Sequence, residues 1–406
     1  MKKIHYGWWI VLACCAIACC PGIIMMAAAN FYSPVANELG IGIGTLTIYV
    51  TIMTLTMAVL QPLVGLVLEK HLKVFLFLGG VLQYSSMALM STFQNVYQFW
   101  VAGFFIGVGG SVTMVMAIPI LINMWFEKSR GLALGISYSF TGISGAIASM
   151  LAGHGISVWG WRTSYLLVAL CGLLIYVPAI LFLIKKPQQK GVLPYGADTI
   201  EKKQELRLPE YNKGMTFSLA VKSPIFYIMI ISTVALAMVT SESSQVAAFS
   251  TEHFGLTIEL AASAVAICGM GNMLGNIIMG MIDDKIGHTK TLLLAMMVII
   301  FAQIAFLNAK DVSLLLMPAI FAIGFMFTIY NVVLPGIATS VFGNKDFSRI
   351  WAYIMSAGNV AGAVAIPLYG TAYDFTGAYT GVFLFTIVQS IICMITSLYV
   401  LNKAEC

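Results

Sequence analysis

The chain has 406 residues, of which 60% are hydrophobic and 9% charged, with a formal net charge of +5. Soluble domains are about 45–50% apolar and about 25% charged, so a water-soluble globule is excluded, because it would have nowhere to hide this much apolar surface. The composition instead implies an all-α integral membrane protein whose outward helix faces are solvated by lipid. The charges collect in the connections between apolar runs and read as membrane topology, not as a nucleic-acid footprint.

The opening stretch "MKKIHYGWWIVLACCAIACC" has the basic head and apolar run of a signal peptide. The run continues to about Ala29, however, and Trp8-Trp9 stand where interfacial anchors belong, so it reads as a retained first membrane helix. Within it, Cys14, Cys15, Cys19 and Cys20 are spaced i, i+1, i+5, i+6, which spreads their sulfurs around a helix. Packing explains them better than a metal does. Cys171, Cys268 and Cys393 also lie in apolar runs, so no disulfide framework is expected.

Cutting the chain where charge and turn residues interrupt about twenty apolar positions predicts twelve transmembrane helices. They cover 7–36, 43–67, 74–92, 98–124, 131–156, 162–184, 224–249, 257–281, 291–309, 312–340, 350–373 and 377–401. The expected organisation is two six-helix bundles, 1–184 and 224–406, joined by a linker loop, 185–223. That loop, around "KKPQQKGVLPYGADTIEKKQELRLPEYNKG", has no apolar periodicity and reads as a flexible tether. With the N-terminus inside, all of the 21 lysines and arginines except Arg162 and Lys310 fall on one side. Both termini and the linker are therefore expected in the cytoplasm, with the protein in the plasma (inner) membrane.

The halves echo each other at a nearly constant offset. Gly40 matches Gly255 and Gly65 matches Gly280 at 215; Pro119 matches Pro335 and Phe126 matches Phe342 at 216; Gly145 matches Gly362 and Gly153 matches Gly370 at 217. A duplicated six-helix unit, giving two pseudo-symmetric bundles, is the simplest reading. That layout suits an alternating-access carrier with its substrate site near the midplane between the halves. No nucleophile, metal set or cofactor loop emerges, so an enzyme is not expected, and neither is a cofactor.

The stretch "GMIDDKIGHTK" from Gly280 to Lys290 resembles the signature of the major facilitator superfamily, G-x-x-x-D-[RK]-x-G-[RK]-[RK]. Gly280, Asp284, Lys285 and Gly287 match, while His288 and Thr289 replace the final basic pair. The first-half copy, "GLVLEKHLKV", keeps Gly65, Glu69 and Lys70. "HYGWWIVLA" at 5–13, "NMWFEKSRGLALGIS" at 123–137 and "WGWRTSYLLVAL" at 159–170 are similar to the branch of oxalate/formate antiporters and monocarboxylate transporters. The resemblance implies the major facilitator fold and proton-linked symport of a monocarboxylate or related organic acid. It also implies a cytoplasmic gate in which Asp284 meets the eleventh helix and Arg349, and Glu69 meets the fifth helix and Arg130, with Lys70 and Lys285 beside the two acids.

In that branch buried cations hold the carboxylate. In the matching register their positions fall at Asn276, near Gly358 or Asn359, and near Asn30, while a nearby aspartate falls at Asn272. These charges are replaced by amides, which both donate and accept and suit neutral, zwitterionic or weakly anionic ligands. The alternative for each asparagine is a plain interhelical hydrogen bond of about 0.5–2 kcal/mol. Tyr32, Tyr138, Tyr330, Asn331 and Gln245, the repeat counterpart of Asn30, complete the expected cavity, with Pro335 able to loosen the helix beside Tyr330-Asn331.

Glu242, in "TSESSQ", is a carboxyl inside an apolar segment and the main proton-coupling candidate, against the alternative of a solvated residue near the outer end. His154 is a weaker one. The expected partners are a small-molecule substrate, protons and the lipid bilayer, and the expected working unit is the monomer. Two other readings stay open: a proton-driven exporter of amphipathic compounds, for which 24 methionines and 24 phenylalanines would supply an adaptable wall, and a transporter-derived solute sensor.

Overall fold

Glycine, proline and short polar caps mark where each helix of this chain begins and stops. The computed structural model describes residues 5–68, 71–197, 214–308 and 315–404. Among these, the membrane helices are α1 (Tyr6–Leu39), α2 (Ile43–Val67), α3 (Leu72–Thr92), α4 (Val96–Trp125), α5 and α6 within the stretch Arg130–Leu183, α7 (Pro224–Glu252), α8 (Ile258–Ile286), α9 (His288–Asn308), α10 (Leu316–Phe342), α11 (Phe347–Thr376) and α12 (Thr380–Ala404). The stretch Arg130–Leu183 is 54 residues long, too much for one crossing. It breaks at Gly160, whose φ of 77° and ψ of 165° are far from helical, so α5 covers 130–159 and α6 covers 161–183. The expected twelve helices are therefore present.

Two compact units result. One contains Met1–Lys128 and Ser137–Pro209; the other contains Ser129–Ile136 and Glu210–Cys406. The repeat noticed in the sequence has a backbone counterpart: Gly40 ends α1 at φ 65° and Gly255 follows α7 at φ 66°, both left-handed. The Gly40 amide donates to the Ala36 and Asn37 carbonyls, satisfying acceptors that the helix end would otherwise leave open.

Small residues set how closely the helices of each unit approach. In the first unit a methyl group on Gly103 or Gly107 would strike the backbone carbonyl of Tyr49 or Met53 on α2, and Gly79 and Gly109 bring α3 and α4 into backbone contact. In the second, Gly271 lies against the Phe321 carbonyl of α10, and Gly280 of α8 against the Gly131 carbonyl at the start of α5.

The link between the bundles departs from the expected tether at both described ends. Tyr195 donates its amide to the Trp125 carbonyl at 2.7 Å and accepts from the Glu127 amide at 2.9 Å, and His5 pairs through Nε2 with the Leu193 carbonyl at 3.0 Å. Further on, Met215 donates to the Phe342 carbonyl at 2.8 Å and the Phe217 amide to Asp346 at 2.7 Å. These anchors are backbone pairs and aromatic contacts, such as Tyr195 with Trp8 and Phe126, which leave no periodic trace in a sequence.

Where α5 meets α6, the residues that follow Gly160 bind the end of α1. Trp161 and Arg162 both donate to the Glu38 carboxylate, the guanidinium at 2.8 Å, and Arg162 also donates to the Ser91 and Phe93 carbonyls at 2.9 Å each. The turn that presents them needs the left-handed φ of Gly160. A Gly160→Ala variant should lose about 1–3 kcal/mol, read as a clear drop in Tm in detergent, whereas Gly153→Ala, at a helical glycine with nothing within 4 Å of the added methyl, should leave Tm unchanged or slightly raised.

Candidate functional site

Irregular turns mark the helices best placed to bind something. Away from helix ends they occur in α1 at Gly22–Met26, in α4 at 114–116, in α7 at Glu242–Gln245 and in α10 at Ile329–Val333, which is every third helix. Local departures from α-helical winding free backbone groups and are frequent at functional sites. In α10 the cause is legible: Pro335 lacks an N–H and its ring crowds the carbonyl four residues earlier, that of Asn331. The break in α4 has the same cause: Pro119, the repeat counterpart of Pro335, crowds the carbonyl of Val115.

In the second unit, several of the expected residues meet. Asn276 donates through Nδ2 to Asn272 Oδ1 at 2.8 Å, one helical turn away on α8, and both are buried. Among the described residues Asn276 Oδ1 has no hydrogen-bond partner, and neither does the buried hydroxyl of Thr328 on α10. Thr328 faces Gly275, the residue before Asn276, at 2.9 Å from where a methyl would sit. Two unspent polar atoms thus lie on neighbouring helices whose close approach is set by glycine. Thr328 was not anticipated, although a hydroxyl just before Tyr330 was visible in the sequence. Tyr330 donates to Asn359 at 3.4 Å, across α10 and α11, beside Gly358. Gln245 accepts from the Tyr379 hydroxyl at 3.4 Å and donates to the Ile366 carbonyl at 3.5 Å, while Asn331 is half-buried in the irregular turn of α10.

The first unit holds fewer of them. Asn30 is half-buried and donates to Ala27 of its own helix at 3.2 Å. Tyr32 meets the Tyr49 ring of α2 edge-on at 6.4 Å, and Phe31 beside it stacks on Tyr165 of α6 at 3.7 Å; these ring contacts join α1 to α2 and α6 and were not foreseen. Tyr138 is buried in α5, and His154 is exposed, its ring edge against Trp159 at 6.4 Å.

Glu242 is fully buried at the irregular turn of α7, so it is not a solvated outer-end residue. Gln303 of α9, also fully buried, donates through Nε2 to Glu242 Oε2 at 2.8 Å. Among the described residues the second oxygens of both side chains, Glu242 Oε1 and Gln303 Oε1, take up no hydrogen bond. Thr386 of α12 lies alongside, but its one proton goes to the Val382 carbonyl at 3.0 Å. The Tyr369 hydroxyl of α11 is committed to the Met238 carbonyl at 2.7 Å. Among the described residues no lysine, arginine or histidine pairs with Glu242. Gln303, the one polar side chain in "VIIFAQIAF", could have been found from that context alone.

The charged end of α8 differs from expectation. Asp284 accepts from the Gly131 and Leu132 amides, each at 2.8 Å, at the start of α5 and not of α11. The reason is the Gly280 to Gly131 contact four residues earlier, which brings the unsatisfied N–H groups of α5 within reach of the carboxylate. Arg349 instead lies over the Phe217 ring at 4.0 Å. Arg130 is the half-buried first residue of α5, and Lys285 is exposed. His288, standing where the signature has a basic residue, pairs with buried Asp283 at 2.9 Å. Glu69 and Lys70 lie outside the described residues.

The family model described as Major Facilitator Superfamily matches residues 12–366 and, in a second overlapping match, 239–405. The chain belongs to that superfamily. It is 23% identical over 410 residues to monocarboxylate transporter 12 of Xenopus laevis, covering 96% of this chain and 87% of the relative. It is 22% identical over 406 residues to the oxalate:formate antiporter of Oxalobacter formigenes, covering 98% and 92%, and 23% identical over 305 residues to the sialic acid transporter NanX of Escherichia coli, covering 73% and 70%. Among solved structures, the proton:xylose symporter XylE superposes with a TM-score of 0.80 at 11% identity, covering 98% of this chain and 95% of that one. The E. coli fucose:proton symporter FucP gives 0.69 at 15%, covering 97% and 98%. The fold is that of the superfamily, and the protein is an integral membrane transporter of small solutes.

The buried pair offers a stability test. Gln303→Leu removes the one donor to Glu242 and should cost about 1–3 kcal/mol. Replacing both partners, with Glu242→Leu added, should recover most of that loss, because no unpaired polar atom is then left behind. Thermal melts of the two single variants and the double variant in detergent check this.

Proposed function

We propose that this transporter moves a small organic acid, a monocarboxylate or a close relative, by alternating access and coupled to protons. The observation that carries the substrate class is that three relatives aligned over most of this chain are named for carboxylate-bearing solutes: monocarboxylates, oxalate and formate, and sialic acid. Amides stand where the branch resemblance expects cations, so the carboxylate would be held by neutral donors. Asn276, with its neighbour Asn272, is the central group, and Tyr330, Asn331, Asn359, Gln245, Asn30, Tyr32 and Tyr138 are the other candidates. A neutral clamp binds a carboxylate more weakly than a paired cation does and releases it more readily.

Glu242 is the coupling group in this reading, with His154 secondary. The geometry that supports it is the shortage of donors around Glu242 and Gln303: two acceptor oxygens are buried with nothing to accept from. A proton on the carboxyl supplies the missing donor, and its departure leaves an unpaired charge in an apolar interior, a state the protein leaves by changing conformation. Asp284 on the α5 amides, together with Arg130, Lys285, Arg349, Glu69 and Lys70, forms the proposed gate at the face carrying the basic loops, which we take as cytoplasmic, in the plasma membrane. The working unit is the monomer.

The test is uptake of labelled mono- and dicarboxylates into proteoliposomes with and without an inward proton gradient. The wild type should accumulate a monocarboxylate only with the gradient. Glu242→Gln should abolish accumulation yet keep exchange between labelled and unlabelled substrate. Asn276→Ala should raise KM by roughly tenfold, the equivalent of about 1.4 kcal/mol, with less effect on maximal rate. Gradient-driven accumulation that survives in Glu242→Gln would sink the coupling assignment, and efflux of bulky amphipathic compounds in place of acid uptake would turn the reading toward an exporter.

A further inference from the structure

A cavity of about 550 Å³ opens on the first unit between α1, α5 and α6. Each helix gives it one face: Leu12, Cys15 and Cys19 come from α1 at three- and four-residue spacing, and α5 and α6 contribute residues in the same rhythm. Its floor is closed, with Cys15, Cys19 and Ala148 nearly inaccessible, whereas its rim residues Leu12, Ile147 and Phe182 are about half exposed or more. The lining is almost entirely apolar, and its one hydroxyl, that of Ser144, is turned to the Thr141 carbonyl. No polar solute has anything to bind here. A hydrocarbon chain does.

One end of the groove is charged. The irregular last turn of α6, Ala179–Leu183, supplies Phe182 and Leu183 to the lining and runs directly into Lys185. The Lys73 ammonium donates to the Leu181 carbonyl at 2.6 Å. Lys190 sits 4.6 Å over the Tyr6 ring, whose hydroxyl donates to the Leu183 carbonyl at 2.9 Å. Lys73, Lys185 and Lys190 thus gather around the end of α6, and among the described residues none of the three forms an ion pair.

We propose that the groove holds an acyl chain of an anionic phospholipid whose phosphate is bound by Lys73, Lys185 and Lys190. The charge commits the occupant: a zwitterionic lipid fits the apolar channel equally well, but it adds a positive group beside three ammonium ions. Lysines at a membrane interface attract anionic headgroups, and here a shaped slot for the tail adjoins them.

The experiment measures Tm of the full chain in mild detergent after adding phosphatidylglycerol or phosphatidylcholine with the same acyl chains, with glycerol phosphate as the tail-free control. Phosphatidylglycerol should raise the wild-type Tm by several degrees more than phosphatidylcholine, and glycerol phosphate should have no effect. Ala148→Phe, which fills the floor, should lose the shift from phosphatidylglycerol. Ile147→Trp blocks the groove from an exposed rim position and serves should the first variant fail to fold. Lys185→Gln with Lys190→Gln should reduce phosphatidylglycerol to the level of phosphatidylcholine. Equal shifts from the two lipids in the wild type, a shift that persists in a folded, blocked variant, or a full shift from glycerol phosphate would each overturn the proposal. None of these readouts depends on transport, so they stand apart from the assignment of substrate.

Discussion

A polar atom inside a bilayer has no water to fall back on. In this protein that constraint decides where helices end, how closely they pack and which side chains have work other than packing. The left-handed glycines that stop α1 and α7 satisfy carbonyls at the helix ends, and the glycine seams let backbones touch where lipid could not reach. Among the described residues most polar groups are satisfied; of the buried atoms that are not, Glu242 Oε1, Gln303 Oε1, Asn276 Oδ1 and Thr328 Oγ1 lie in the second unit, and Gln83 Nε2 and Thr141 Oγ1 in the first. Each carries an energetic penalty that packing alone does not justify.

The two units differ in the side chains they carry on a shared backbone plan. Both show irregular turns on equivalent helices, α1 and α4 in one and α7 and α10 in the other. The second unit places amides and a carboxyl at or near those turns. The first places aromatic ring contacts and a broad apolar groove. Duplication has preserved the backbone plan, down to matching φ values at Gly40 and Gly255, while the side chains of the halves have been put to different uses.

Much of this was readable in advance, for a physical reason. Long apolar runs, basic loops and a glycine and proline repeat are local patterns, and they suffice for twelve helices in two sixes. The pairing of Asn272 with Asn276 follows from helical spacing. What escaped the sequence is set by pairing between distant helices. The Asp284 carboxylate could serve any nearby helix start, and only the Gly280 to Gly131 contact selects α5. Gln303 stood out as a lone polar residue, but nothing local tied it to Glu242, 61 positions earlier. The linker likewise looked featureless, because its anchors are backbone hydrogen bonds that any sequence can make.

The clasp of Glu38 by Trp161 and Arg162 bears on how the protein is made. Its partners are separated by 123 and 124 positions, so α1 is synthesised long before the residues that clasp its C-terminal end. The clasp therefore closes only once the chain has passed Gly160, which presents the fastening residues.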